Sequence, residues 1–311
     1  MHRWRVIVNP AAGNGKGKKD WNKISAYLQD KQIDFEVKFS KYQNDSISIA
    51  KEAAMLGIRK IIVVGGDGTL NEVLNGIILA NVCRTDEFTL ALIPVGTGND
   101  WGRMFSIPMN YKKAIDIICQ DKTMLHDIGL IKFCESDEQK ERYFINIAGA
   151  GFESKVIRMS NNYMEKGYKS KFIYLYCLLM SLLKYKNVRM NFKVDDKEIS
   201  ETVFSVNIGN GRYCGNGMMQ TPEAVPNDGL LDITVIKNMK KTAILSNLKM
   251  LYNGTILKHP MIDGYKCKKL TINSEAEVYI EADGESLGSV PAEFSIIPSA
   301  VNIVYETNII Q

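Results

Sequence analysis

Apolar and polar positions follow two different regimes along the chain, and the change falls near residue 122. Before it, short apolar runs alternate with segments of helical period. "WRVIVN" (4–9), "DFEVKFS" (34–40), "KIIVVGG" (60–66) and "FTLALIPVG" (88–96) read as strands. Between them, 18–30 sets Trp21, Ile24 and Leu28 on one helical face, 44–57 opens polar and closes on Gly57, and 69–80 is amphipathic. Strand–helix alternation with fully apolar strands predicts an α/β domain built on a parallel sheet covered on both faces.

After residue 122 strands follow strands. Alternating runs at 125–133, 141–152, 188–196, 197–210, 230–238, 265–274, 276–285, 292–298 and 300–305 are punctuated by Asp195-Asp196, Asp228-Gly229 and Asp283-Gly284. A mostly antiparallel second domain follows, interrupted by helices at 168–185 and 240–251. The charged stretch 134–142 reads as a solvated hairpin loop.

A chain of 311 residues with 45% hydrophobic and 24% charged residues is globular and long enough for two domains. Net charge is +4 with no long basic run, which argues against nucleic acid and suits an anionic lipid or nucleotide. The six cysteines form no C-x-x-C pair and lie mostly in apolar runs, so they read as buried, reduced thiols of a cytoplasmic protein. With three histidines a zinc site is not expected. The longest apolar run, 172–183, is too short to cross a bilayer, which takes about 20 residues. It reads as a buried helix or as one close to a membrane or an acyl-chain groove.

Three loops carry candidate chemistry. In "VVGGDGTLNEV" a strand ends in glycines and passes into a helix, which offers backbone N–H groups to a phosphate at a helix N-terminus. Asp67 in that turn would repel phosphate unless it acts through a cation, so it is a candidate to position Mg²⁺, and Thr69 a candidate cap or phosphate contact. "NPAAGNGKGKK" repeats the strand, glycine loop and helix without matching a Walker A motif. "IPVGTGNDWGRMF" does so again, with Thr97, Asn99 and a second carboxylate at Asp100. All three would lie at the carboxyl edge of one parallel sheet, where open α/β sheets bind ligands.

In order and spacing, "NPAAG", "GGDGTLNEV" and "IPVGTGND" resemble the diacylglycerol kinase catalytic domain family, nearest its bacterial soluble lipid kinases, with sphingosine and ceramide kinases as relatives. "DIGLIKF", "FINIAGAGFES", "NIGNGRYCGNGMMQTPEAVPNDGLLDI" and "IEADGE" extend the likeness over essentially the whole chain. The resemblance implies an NAD kinase/diacylglycerol kinase-like ATP-binding domain at 1–122, which the C-terminal strand 298–311 can rejoin, and a β-sandwich lipid-substrate domain at 123–297, with the active site between them.

It further implies ATP contacts at Asn9, Pro10, Ala11, Ala12 and Gly13, at Gly65, Gly66, Asp67, Gly68, Thr69, Leu70, Asn71 and Glu72, and at Thr97. Ser40 stands where the family usually has Thr. A Mg²⁺ site is implied at Val225, Asp228 and Leu230, through one carboxylate and backbone carbonyls. The general base would lie in "ADGE", as Glu285 or Asp283. The glycine-dense loop around Arg212 and Tyr213 would face the cleft.

The expected activity is ATP- and Mg²⁺-dependent transfer of the γ-phosphate to the hydroxyl of a lipid such as diacylglycerol, at a membrane surface touched peripherally. Phosphorylation of NAD and a nucleotide-binding regulator without activity stay open as alternatives, as does a homodimer.

Overall fold

A computed structural model describes residues 3–135, 138–166 and 171–306. The chain forms two compact units. The first comprises Met1–Ile128, Tyr213–Gly217 and Pro298–Gln311, and the second Gly129–Arg212 and Met218–Ile297. The first change of unit comes after Ile128 rather than at 122, within the strand Thr123–Glu135, which runs from one unit into the other. The expected C-terminal strand reaches Val304, as the end of a single strand Glu285–Val304. Residues 307–311 of that expectation lie outside the described residues.

In the first unit, Trp4–Val8 pairs in parallel with Phe35–Phe39 on one side and with Lys60–Gly65 on the other. Thr89–Pro94 pairs in parallel with Lys60–Gly65, and Asn302 and Ile303 continue the sheet beyond Thr89 and Leu90. The strands are apolar at nearly every position because helices cover them. One core cluster joins Val6, Val8, Ile62, Val64, Ala91 and Ile93 to Ile24 and Leu28 of helix Trp21–Asp30 and to Ile115 and Ile118 of helix Tyr111–Cys119. Each such fully buried aliphatic side chain contributes about 1.5–3 kcal/mol. Trp21, on the same face as Ile24 and Leu28, is half-buried and meets the edges of Phe35 and Phe39.

The second unit is an antiparallel ladder. Lys197–Gly209 is flanked by Val188–Val194, Ile147–Gly151 and Leu231–Lys237, and Leu231–Lys237 pairs on with Ile262–Cys267. Tyr279–Ala282 pairs with Ile147–Gly151 and with the start of the long strand from Glu285. Lys269–Asn273 joins Val188–Val194 to that strand farther along, at Ala292 to Ser295. Helices Phe152–Glu165, Lys171–Lys184, Lys241–Ser246 and Leu248–Tyr252 build a separate apolar cluster on this unit around Val156, Cys177, Leu182, Phe204 and Met239.

Several expectations change. The run 141–152 is two strands, Glu138–Phe144 and Ile147–Gly151, interrupted where the backbone N–H groups of Ile145 and Asn146 turn to a carboxylate. Residues 134–135 and 138–142 are strand rather than loop, paired from Glu135↔Glu138 onward, and residues 136–137 of that expectation lie outside the described residues. The cysteines are free but not uniformly buried: Cys177 and Cys267 are buried, whereas Cys119 and Cys134 end their helix and strand arm exposed.

Candidate active site

The strand ends of the first unit bring the three glycine loops together. Val8 is level with Val64, and Gly65 with Pro94, so the chain leaves all three strands on one edge. Asn9 Nδ2 donates to Thr69 Oγ1 at 3.0 Å, and Asn9 Oδ1 accepts from Ala11 N–H at 3.0 Å. Gly13 sits at φ 61° with its α-carbon against the Val95 carbonyl, where a β-carbon would stand 1.9 Å from the oxygen. The turns at Gly66 and Gly96 touch, and a β-carbon on Gly96 would lie 2.8 Å from Gly66 Cα. Side chains are excluded at these points because backbone meets backbone.

Helix Asp67–Ala80 starts directly after this contact, with Gly66 as an extended N-cap, so its first N–H groups and positive dipole end open at the loop cluster. Asp67 accepts from the N–H groups of Asp100 and Trp101, both at 3.0 Å. Asp100 in turn accepts from Asn216 and Gly217 N–H at 2.8 and 2.7 Å. Burial pushes the Asp67 pKa above its ordinary value, the Asp100 and Trp101 amides pull against that, and the Asp100 charge adds to it. A β-carbon on Gly98 would stand 3.4 Å from Oδ2 of both aspartates, so the two carboxylates flank one spot beside this glycine. Among the described residues no cationic side chain pairs with Asp67. The oxygens are hard ligands, so the pair fits a divalent cation.

The implied ATP contacts divide by position. Asn9 meets Thr69, Gly13, Gly66 and Asp67 lie against the next loop at Val95, Gly96 and Asp100, and Thr97 is exposed. Ser40 is buried and donates its N–H to the Val8 carbonyl at 2.9 Å. Leu70 is fully buried in the core, Glu72 accepts Asn44 N–H at 3.1 Å, and Asn71 accepts from Asn75 Nδ2 at 3.0 Å. These three turn inward because they follow the first turn of a helix packed on the sheet.

In the second unit, Asp283 and Glu285 do different things. Asp283 has φ 47° and accepts three backbone N–H groups, from Ile145 at 2.8 Å, Asn146 at 3.1 Å and Ile147 at 3.0 Å. It is a clamp on the strand break. Glu285 pairs with the mostly buried Arg142. Beneath the turn, Glu281 accepts Gly284 N–H at 3.1 Å, and burial raises its pKa well above the usual carboxylate range. Neither Arg142 nor Glu281 was singled out from the sequence, and nothing local marks them.

The loop with Val225, Asp228 and Leu230 holds a cation of its own. Asp228 Oδ1 accepts Leu230 N–H at 3.0 Å, and Oδ2 faces Lys266 Nζ at 3.4 Å. Lys266 Nζ also lies 3.3 Å from Asp232 Oδ2 and 3.3 Å from the Glu223 carbonyl. Magnesium takes six oxygens at about 2.0–2.1 Å. As placed, the Lys266 ammonium occupies the Asp228 carboxylate, so a magnesium ion held there would have to displace it. Among the described residues no group of three or more His, Cys, Asp or Glu side chains could hold a metal ion.

Residues 3–131 match the diacylglycerol kinase catalytic domain, and residues 146–305 match the YegS C-terminal NAD kinase beta sandwich-like domain. The chain belongs to the family of the YegS C-terminal NAD kinase beta sandwich-like domain, carries a match to the diacylglycerol kinase catalytic domain ahead of it, and is a lipid kinase by class. The family implies ATP as the phosphate donor. A diacylglycerol kinase of Mycobacterium tuberculosis H37Rv is 27% identical over 301 residues, covering 96% of this chain and 94% of that one. The crystal structure of a diacylglycerol kinase from Bacillus anthracis Sterne superposes with TM-score 0.73 at 23% identity, covering 99% of this chain and 98% of that one. Yeast NADH kinase complexed with NADH shares the fold, with TM-score 0.55 and 12% identity over 98% of this chain and 84% of that one. No described helix is long and apolar enough to cross a membrane.

Proposed function

We propose that the chain transfers the γ-phosphate of ATP, accompanied by Mg²⁺, to the hydroxyl of a membrane lipid such as diacylglycerol. The observation that supports this most is the convergence of Asn9–Thr69, Gly66–Gly96 and Asp67–Asp100 at one strand edge. Backbone N–H groups at the start of helix Asp67–Ala80 bind the phosphates, and the close-packed glycines let them approach the main chain. Asp67 and Asp100 would hold that cation, which would supply neutralisation of the charge on the transferred phosphoryl group, and their own amide partners fix the carboxylates in place.

Glu285 accepts the proton of the lipid hydroxyl. Asp283 is committed to three amides and is the weaker candidate. The Arg142 partner orients Glu285. Because the phosphoryl transition state is loose, the attacking oxygen needs little basicity from its acceptor. Contact with the bilayer is peripheral.

The test is transfer from γ-labelled ATP to vesicles carrying a panel of lipid alcohols, with NAD as a second acceptor. Label in a lipid of increased phosphate content supports the reading. Label in NADP, or none in any acceptor, overturns it.

A further inference from the structure

The turn that seats Asp100 also seats an arginine to which the site gives no task. Residues 213–217 come after Gly129–Arg212 in sequence but belong to the first unit. At the tip, Gly215, Asn216 and Gly217 have φ of 62°, 70° and 95°. Left-handed residues in succession turn the Asn216 and Gly217 amides to one side, where both meet the Asp100 carboxylate. A β-carbon on Gly217 would stand 3.3 Å from Arg103 Cζ and 3.5 Å from Nε and Nη2, so the guanidinium lies against the bare α-carbon. The Tyr213 ring lies 5.9 Å from the same group.

This mount leaves the arginine unspent. Arg103 Nε is 3.7 Å from Asp100 Oδ1, too far for a hydrogen bond, and that oxygen already accepts Gly217 N–H at 2.7 Å. Among the described residues the guanidinium donates no hydrogen bond, and the side chain is 47% exposed. An arginine kept only to neutralise a carboxylate would bond it through its planar fork. The two oxygens of Asp100 also face different neighbours. Oδ2 lies with Asp67 Oδ2 beside Gly98, at the spot that fits a divalent cation, and Oδ1 lies toward Arg103. An anion drawn to a cation at that spot meets free N–H donors on the Arg103 side. Their fixed fork matches the oxygens of a phosphate in pairs.

We infer that Arg103 binds the terminal phosphate of the nucleotide. As the γ-phosphoryl group leaves the β-phosphate oxygen of ADP for the lipid hydroxyl oxygen, whose proton passes to Glu285, the guanidinium opposes the charge spread over the equatorial oxygens. The inference rests on the kinase reading for its purpose but is tested by binding alone.

The full chain is titrated calorimetrically with ATP and with ADP, each with excess Mg²⁺ and without lipid. The wild type is expected to prefer ATP. Arg103→Gln should shrink that preference by about tenfold or more, the least that a charge-assisted hydrogen bond is worth. Arg103→Lys keeps the charge without the fork and should shrink it by about threefold. A mere counter-ion to Asp100 predicts otherwise: its loss makes the site more negative and leaves the ratio of ATP to ADP affinity unchanged. A wild type without preference for ATP, or an unchanged ratio in Arg103→Gln, would overturn the inference. Should Arg103→Gln fail to fold by circular dichroism, Arg103→Lys decides, and an unchanged ratio there overturns it too. A ratio that falls as expected while the wild type labels no lipid would count against the lipid-kinase reading and leave this inference standing.

Discussion

Asp67 and Asp100 are joined in series: Asp100 N–H donates to the Asp67 carboxylate at 3.0 Å, and the Asp100 carboxylate accepts Asn216 and Gly217 N–H at 2.8 and 2.7 Å. Asp67 is thus fixed by main chain alone, whereas Asp100 also has Arg103 Nε 3.7 Å from Oδ1, so the pair carries more negative charge than its surroundings match and leaves room for a ligand-borne cation. Asp67→Ala removes the acceptor of two amides and one of the two proposed cation-holding groups. Turnover is expected to fall by about 10²–10³-fold, the loss typical of a missing preorganised electrostatic group. Unfolding stability should drop by about 1–3 kcal/mol for the amides left without partners. Labelled-phosphate transfer beside urea denaturation separates the two effects. Full turnover in this variant would remove Asp67 from the mechanism.

Asp283 and Glu285 predict opposite phenotypes. Asp283→Asn puts an amide NH₂ among three backbone donors and weakens charge-assisted bonds, each worth about 1.5–3 kcal/mol. A clear fall in denaturation midpoint is expected. Glu285→Gln weakens the Arg142 pair at a partly exposed position, so stability should fall less than in Asp283→Asn while turnover falls by about 10²–10⁴-fold. If Glu285→Gln stays active and Asp283→Asn is inactive but stable, the assignment of the base reverses.

The parts legible in the sequence are those whose chemistry is local. A glycine that must touch another backbone, as at Gly13, Gly66 and Gly96, leaves its mark in the adjacent residues, and so does a strand buried on both faces. Contacts over long separations leave none. Asp100 meets Asn216 across 116 residues, and Arg142 meets Glu285 across 143. Lys266 reaches Asp228 across 38 residues, so the sequence around the loop shows no sign of this cation. The pattern reading also places no helix at Phe152–Glu165, because the preceding Ile147–Gly151 strand runs straight into it and the polar residues of "SKVIRMSNN" blur its period.

His126 makes stability depend on acid. It is fully buried, accepts Trp101 Nε1–H at 3.2 Å, and meets the Asp127 carbonyl through Nδ1. Burial lowers its pKa from 6.5 to about 4. The unfolded chain therefore binds the proton first, so the stability linked to a neutral His126 is complete above pH 6.5 and is lost as pH falls from there toward 4. At 1.36 kcal/mol per pKa unit, the loss is about 3 kcal/mol. Denaturation curves between pH 7 and 4 should show that slope. His126→Gln should flatten it, and an unchanged slope in the variant would assign the acid sensitivity elsewhere.

Lys266 predicts how the second unit responds to magnesium. Its ammonium already neutralises Asp228 and Asp232 and satisfies the Glu223 carbonyl. The nucleotide-free wild type should therefore melt at the same temperature with Mg²⁺ or with a chelator. Lys266→Met leaves two close carboxylates without a cation, one of them Asp232, whose pKa burial already raises to about 6. That variant should melt several degrees lower, on the order of 2–4 °C per kcal/mol lost for a domain of this size, and recover as Mg²⁺ is added. Asp228→Asn in the same background should abolish the recovery. A wild-type melting temperature that rises saturably with Mg²⁺, and loses that rise in Asp228→Asn alone, would mean that a metal displaces the lysine and that this loop is a magnesium site after all.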